Sequence, residues 1–315
     1  MQASSELLVS PLELDPAVWF DASDLDGDFE NDSSPAGTLS SWVDKSGNSR
    51  TATVSKGTPE LNVSGGPNGG RVIEFRSGFA DASTGDEELA ISGTFFIKDH
   101  FYVLRSPHST WSDYGGIIGH DGSGSGEDRN SNFIFERSNT YFHGNQYPDA
   151  VWKNGLSIAS SNFDLGTINE YMILRIVVND NDTSAKSTWS IGNVSADWSM
   201  DMDLAEAVCF STELSEDEAG QIEGYLAHKW NLNSKLPVEH LYQDLSSRSI
   251  DTLPLRDLTI GGNDPSSKFS GTIDEVRIYE RSLSSSEIAT LYLDGTIRFQ
   301  TSDSAQPPKI GRAHV

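Results

Sequence analysis

Tyr171-Met172-Ile173-Leu174-Arg175-Ile176-Val177-Val178 is a nearly unbroken apolar run, and it stops at the turn-forming Asn179-Asp180-Asn181-Asp182. Such a run is expected of a strand near the centre of a β-sandwich. Asn and Asp end it because their side chains hydrogen-bond the local backbone and tolerate turn conformations.

The same rhythm of short run and turn recurs on either side. Pro16-Ala17-Val18-Trp19-Phe20-Asp21 reads as a buried strand, and Leu39-Ser40-Ser41-Trp42-Val43-Asp44 as a second that ends in Lys45-Ser46-Gly47-Asn48. Arg71-Val72-Ile73-Glu74-Phe75 is a third. Thr94 to Leu104 is a longer β-rich run, with Lys98-Asp99-His100 as an expected interruption. Gly115 to Gly119 and Asn132 to Glu136 flank a glycine-serine loop at Asp121–Gly126. Many short strands between turns predict an all-β sandwich.

One helix stands out against this background. Ser215-Glu216-Asp217-Glu218 is a capping box, in which the Ser and Glu side chains satisfy the first backbone donors of a helix. Leu214 is placed to staple onto Ala219, and Ile222, Leu226 and Trp230 recur at helical spacing. The expected role of this helix is packing.

The chain also repeats itself. Ile191-Gly192, Glu206, Phe210, Leu214-Ser215 and Glu218 are matched, without a gap, by Ile260-Gly261, Glu275, Tyr279, Leu283-Ser284 and Glu287. Self-similarity of this kind argues for tandem modules. The segment holding the second copy is too short for a complete sandwich. The expected organisation is a lead-in over 1–14, one large sandwich over 15–245, a partial second closing segment over 246–300, and a tail over 301–315. Ile310-Gly311-Arg312-Ala313-His314-Val315 resembles translated sequencing-adapter DNA, so the tail is expected to be artefactual and the chain a piece of a longer multidomain protein.

Composition removes several functions. The net charge is −25 over 315 residues, which repels a phosphate backbone and disfavours anionic membranes. Mean hydropathy is −0.42, and no stretch is long and apolar enough to span a membrane. The single cysteine, Cys209, sits in the apolar run Ala207-Val208-Cys209-Phe210 and is expected to be a buried, inert strand residue.

Three stretches resemble a known family. Val18-Trp19-Phe20-Asp21-Ala22-Ser23-Asp24 with Trp42-Val43-Asp44-Lys45-Ser46-Gly47-Asn48 is similar to the start of bacterial laminin-G-like modules. Ala205-Glu206-Ala207-Val208 through Glu223-Gly224-Tyr225-Leu226-Ala227-His228-Lys229-Trp230 is similar to their end. Gly271-Thr272-Ile273-Asp274-Glu275-Val276-Arg277-Ile278-Tyr279 resembles the same closing motif again. The resemblance implies the all-β concanavalin A-like jelly roll, a sandwich of two facing antiparallel sheets, with a short capped helix after the closing strand. It also implies an extracellular or cell-surface location and a partner that is a glycan or a surface protein, commonly with calcium.

Two sets of residues are candidates for that chemistry. Asp24, Asp26, Asp28, Glu30 and Asp32 alternate through one loop, and oxygen ligands at every second position resemble the first half of a calcium loop. Phe29 stands where an EF-hand has glycine, and Pro35 stands where it has the bidentate glutamate. The alternative is a solvated acidic loop. For a glycan, Trp111 with Tyr114, and Asn145, Gln146 and Tyr147, supply aromatic faces and amides on loops. The hydrolases of this fold carry Glu-x-Asp-x-x-Glu on one strand, which this chain lacks. No nucleophile elbow, zinc motif or phosphate loop is present either. The expectation is therefore a non-catalytic binding or adhesion module, with a structural spacer and a glycoside hydrolase as its alternatives.

Overall fold

The computed structural model describes residues 10–76, 86–111, 114–120, 133–144, 148–178, 185–192 and 199–244. The chain divides into two units, Met1–Ile250 and Asp251–Val315, and every described residue belongs to the first. The expected second closing segment, the tail, and Asn145, Gln146 and Tyr147 lie outside the described residues.

The strands, in chain order, are β1 (Val18–Asp21), β2 (Gly37–Thr38), β3 (Ser41–Trp42), β4 (Ala52–Lys56), β5 (Glu60–Asn62), β6 (Val72–Phe75) and β7 (Glu88–Ile91). They continue as β8 (Asp99–Arg105), β9 (Ile118–His120), β10 (Ala150–Lys153), β11 (Leu156–Ser157), β12 (Met172–Val177), β13 (Trp189–Ile191) and β14 (Met202–Phe210). A nine-stranded sheet runs β11-β10-β12-β8-β14-β6-β5-β2, with β1 also paired to β14. A five-stranded sheet runs β3-β4-β7-β13-β9. Every pairing is antiparallel.

The two sheets share one core. Ile73, Leu104 and Leu174 from the larger sheet and Trp42, Leu89 and Trp189 from the smaller belong to a single buried cluster. Among the described residues the architecture is all-β and sandwich-like, with one α-helix, α1 (Glu216–Lys229). That helix covers the outer face of the larger sheet. Its Ile222, Leu226 and Trp230 are buried with Trp19, Phe101 and Val208. Strands β8, β12 and β14 are therefore enclosed on both faces, which explains their near-continuous apolar sequence.

The helix begins as its sequence predicts. Ser215 Oγ accepts from Glu218 N, and Glu218 Oε2 accepts from Ser215 N at 2.9 Å. Asp99 and Arg175 fix the chain on its way in. They form a buried ion pair at 2.8 Å, Asp99 Oδ2 accepts from Leu214 N, and Arg175 Nη2 donates to Leu214 O. This corrects the expected interruption at Lys98-Asp99-His100, since β8 starts at Asp99. Polar residues survive in a doubly buried strand because each has a buried partner. Asn132 to Glu136 also departs from expectation. Among its described residues only Phe135 pairs, through single bridges to Gly115 and Phe142.

Strand β14 carries one irregularity that matters. Its register with β8 shifts between Leu204 and Glu206. Met202 and Leu204 point into the core between the sheets, whereas Ala205 lies with the helix-side cluster. The extra residue re-aims the side chains after it, as β-bulges do, and Glu206 meets the helix instead of the core.

Candidate functional site

The residues that carry the family resemblance converge around Glu206. Trp19 Nε1 donates to its Oε1 and Trp230 Nε1 to its Oε2, both at 2.6 Å. Tyr225 OH adds a third hydrogen bond at 3.1 Å, and Lys229 Nζ an ion pair at 2.7 Å. Asp21 lies directly opposite Glu206 in the β1–β14 register and is bound by both Lys229 and Lys45. Burial pushes the Glu206 carboxyl above its ordinary range, and Lys229 only partly offsets this. Burial acts on Asp21 in the same sense, but there Lys229 and Lys45 outweigh it and hold the carboxyl low. Asp44 secures the strand beside them, accepting from Trp19 N, Ser46 N and Arg50 N. Paired carboxylates could in principle perform acid–base chemistry, but helix α1 and two indoles enclose this pair. Its geometry is that of a lock between helix and sheet.

The acidic loop follows β1. Asp24, Asp26 and Asp28 each place a carboxylate oxygen within 4.8 Å of the others, and neither Glu30 nor Asp32 joins that group. Asp24 is buried and fully engaged. Its Oδ1 accepts from Gly27 N and Asp28 N, its Oδ2 accepts from Phe29 N, and Lys45 Nζ lies 2.6 Å from Oδ2. Asp28 accepts from Glu30 N, and Asp32 from Leu25 N. These carboxylates organise the loop by capping its own amides. Calcium needs six or more oxygens. Three amides and the Lys45 ammonium already engage Asp24, which leaves Asp26 and Asp28 as the exposed carboxylates of the group. Phe29, in the place of the EF-hand glycine, adopts that residue's left-handed conformation at φ 70°. Its ring lies edge-on to Trp19 and 5.0 Å from Lys45 Nζ, contacts that offset a conformation costly for a bulky residue.

Of the expected sugar contacts, Trp111 is corrected. Its indole is fully buried, 4.3 Å from Phe135 between ring centroids, so it presents no platform to a ligand. Tyr114 is partly exposed and stands edge-to-face on His143 at 5.2 Å. His143 Nδ1 bonds Glu136 Oε2 at 2.6 Å. A carboxylate on one ring nitrogen sets the imidazole's orientation and leaves Nε2 on the far side.

A second surface feature was not apparent from the sequence. Glu60 on β5 pairs with Glu74 on β6, Glu74 with Asp203 on β14, and Asp203 with Arg105 on β8. A row of charge thus crosses four strands. Thr58, Glu60, Glu74, Arg76 and Glu87 line a groove of about 220 Å³ at this row. Asp203 is its buried anchor, with Arg76 at 2.6 Å and Arg105 at 2.7 Å. Glu74 accepts from Asn62 and lies 3.2 Å from Arg76. Glu87 accepts from Arg76 N, and burial raises its carboxyl above the ordinary value. Only knowledge of strand register could have assembled this row, since its members are far apart in sequence.

No protein-family model matches this chain, and no curated protein matches it. Among solved structures it is similar to the Trypanosoma rangeli sialidase in complex with the inhibitor DANA, at 9% identity and a TM-score of 0.37. The match covers 65% of this chain and 32% of the sialidase, so the chain spans about a third of that protein. The expectation that the chain is not an enzyme is corrected: it rested on missing linear motifs, and a missing motif does not set a chain outside enzymes. The likeness is too remote to carry the sialidase's activity over. What stands is a β-rich, two-sheet chain.

Proposed function

We propose that this protein is a carbohydrate-binding jelly roll of the laminin-G-like, concanavalin A-like type, acting outside the cell as part of a longer chain. The observation that carries the reading is Tyr114, a partly exposed aromatic braced on an imidazole that Glu136 orients. An aromatic edge or face for the apolar side of a sugar, beside groups that bond its hydroxyls, is the chemistry of glycan recognition. Its place on loops above a rigid two-sheet core supports the reading.

The test is a glycan array with the full chain, followed by calorimetry on any hit. Tyr114→Ala and His143→Ala are each expected to weaken binding by about tenfold, roughly 1.4 kcal/mol, without moving the melting point. Release of reducing sugar from a bound glycan would add hydrolysis to binding. Silence across the array would transfer the protein to the structural-spacer reading.

A further inference from the structure

We propose that Asn31 is an acceptor for an N-linked sugar, and that the first sugar packs on the ring of Phe29. The first ground is the stretch Phe29-Glu30-Asn31-Asp32-Ser33. Asn-x-Ser is the pattern that asparagine glycosylation requires, and it is used on exposed loops. Asn31 and Ser33 are both exposed, and neither the amide nor the hydroxyl makes a hydrogen bond among the described residues. Asp32, between them, turns its carboxylate inward onto Leu25 N, away from the acceptor. Asn62-Val63-Ser64 is a second such triplet, and there the amide is engaged. Its nitrogen donates to Glu74 at 2.7 Å, and its oxygen accepts from Ser64 N at 3.0 Å. The triplets at Asn181 and Asn193 lie outside the described residues.

The second ground is Phe29 itself. It is 56% exposed, and it stands two residues before the acceptor, at most about 7 Å along the chain. Trp19 and Lys45 hold the ring in place, yet more than half of the residue faces solvent. An aromatic ring fixed beside an acceptor amide is a platform for the apolar face of the sugar attached there. The sugar comes from a donor activated as a diphosphate ester. Asn31 Nδ2 forms a bond to the anomeric carbon as the anomeric C–O bond breaks. The diphosphate leaves with that electron pair, and the proton released by the amide balances its charge.

The site is separate from the aromatic contact at Tyr114, and its test does not depend on glycan binding there. The folded full chain would be treated with nucleotide-activated glucose and a purified transferase that acts on Asn-x-Ser/Thr, then mapped by peptide mass. Asn31 is expected to carry a hexose and Asn62 none. Asn31→Gln and Ser33→Ala should each abolish the product in this loop, and Ser33→Ala keeps the test readable if Asn31→Gln fails to fold. The attached glucose should raise the melting point by about 2 °C or more. That rise should vanish in Phe29→Gly, which takes the same left-handed backbone without the ring. A bare Asn31 in the folded chain, preferential modification of Asn62, or an equal rise in Phe29→Gly would each overturn the proposal.

Discussion

Asp21 and Glu206 face one another across β1 and β14, and a single ammonium, Lys229, touches both, at 2.5 and 2.7 Å. Two carboxylates in direct cross-strand register repel, and burial strengthens that repulsion because little water screens it. Lys229 comes from the last turn of α1, so the cation that relieves the sheet also anchors the helix. Lys229→Met is expected to lower stability by about 3–5 kcal/mol, because it leaves buried charge uncompensated. Adding Glu206→Gln should recover a large part of that loss. Urea denaturation of the single and double variants measures both. A loss under about 1 kcal/mol in Lys229→Met would mean that the pair is solvated, and the lock would have to be abandoned.

The parts of this lock were in plain view as motif letters, but their meeting was not. Trp19, Asp21 and Lys45 belong to the opening stretch, and Glu206, Tyr225, Lys229 and Trp230 to the closing one. Nothing in either stretch states that β1 pairs with β14, or that a bulge at Ala205 turns Glu206 toward the helix. The capped helix and the run at β12 were legible because local rules decide them: side-chain caps in one case, hydrophobic continuity in the other. Asp99 and His100 were misread for a related reason. A polar residue looks like a strand break until its partner is known: Arg175 reaches Asp99 from β12, and Tyr102 meets His100 from two residues along β8 itself. The glutamate row fails in the same way, since strand register alone brings Glu60, Glu74 and Asp203 together. Trp111 shows the opposite error, a tryptophan that sequence placed on a loop surface and packing drew into the core.

His100 supplies a pH dependence. It is wholly buried in the core, its Nδ1 is bonded to Tyr102 OH at 2.7 Å, and burial lowers its pKa from 6.5 to about 3. The unfolded chain therefore holds one more proton than the folded chain between those values. Stability must fall as pH drops through that window, by up to about 1.4 kcal/mol per pH unit. The raised carboxyls of Glu206 and Asp99 act in the opposite sense, since each is easier to keep buried once protonated. Comparison with His100→Gln isolates the histidine. The slope of unfolding free energy against pH between 4 and 6, measured in urea, should differ by close to one proton. Identical slopes would show that His100 is hydrated or already charged in the fold.

Calcium should matter little. Asp24 is saturated by three amides and Lys45, which leaves Asp26 and Asp28 as exposed carboxylates with their remaining ligands to come from water. Millimolar calcium is expected to move the melting point by less than about 1 °C, because a ligand stabilises only in proportion to its occupancy. Asp24→Asn, in contrast, should destabilise the protein without any metal, since it strips charge from the ion pair and from the amide caps. A calcium-dependent rise of several degrees, lost in Asp26→Asn with Asp28→Asn, would restore the loop as a metal site.

Trp230 separates hydrogen bonding from packing at the same lock. Its ring is buried against the helix-side core, and its Nε1 is one of the donors to Glu206. Trp230→Phe keeps most of the ring and deletes the donor. The carboxylate retains Trp19, Tyr225 and Lys229, so the expected cost is the deficit of one charged hydrogen bond, about 1.5–3 kcal/mol. Trp230→Ala deletes the ring as well, and should cost about 3–5 kcal/mol. If both variants lose equally, Nε1 carries the whole contribution and the ring packs on nothing that matters. If Trp230→Phe is neutral, the indole is present for its volume alone, and Glu206 is satisfied without it. An intermediate loss for Phe and a larger one for Ala is the result the geometry requires. Denaturant melts of the two variants, compared at their midpoints with unchanged slope, decide between these outcomes.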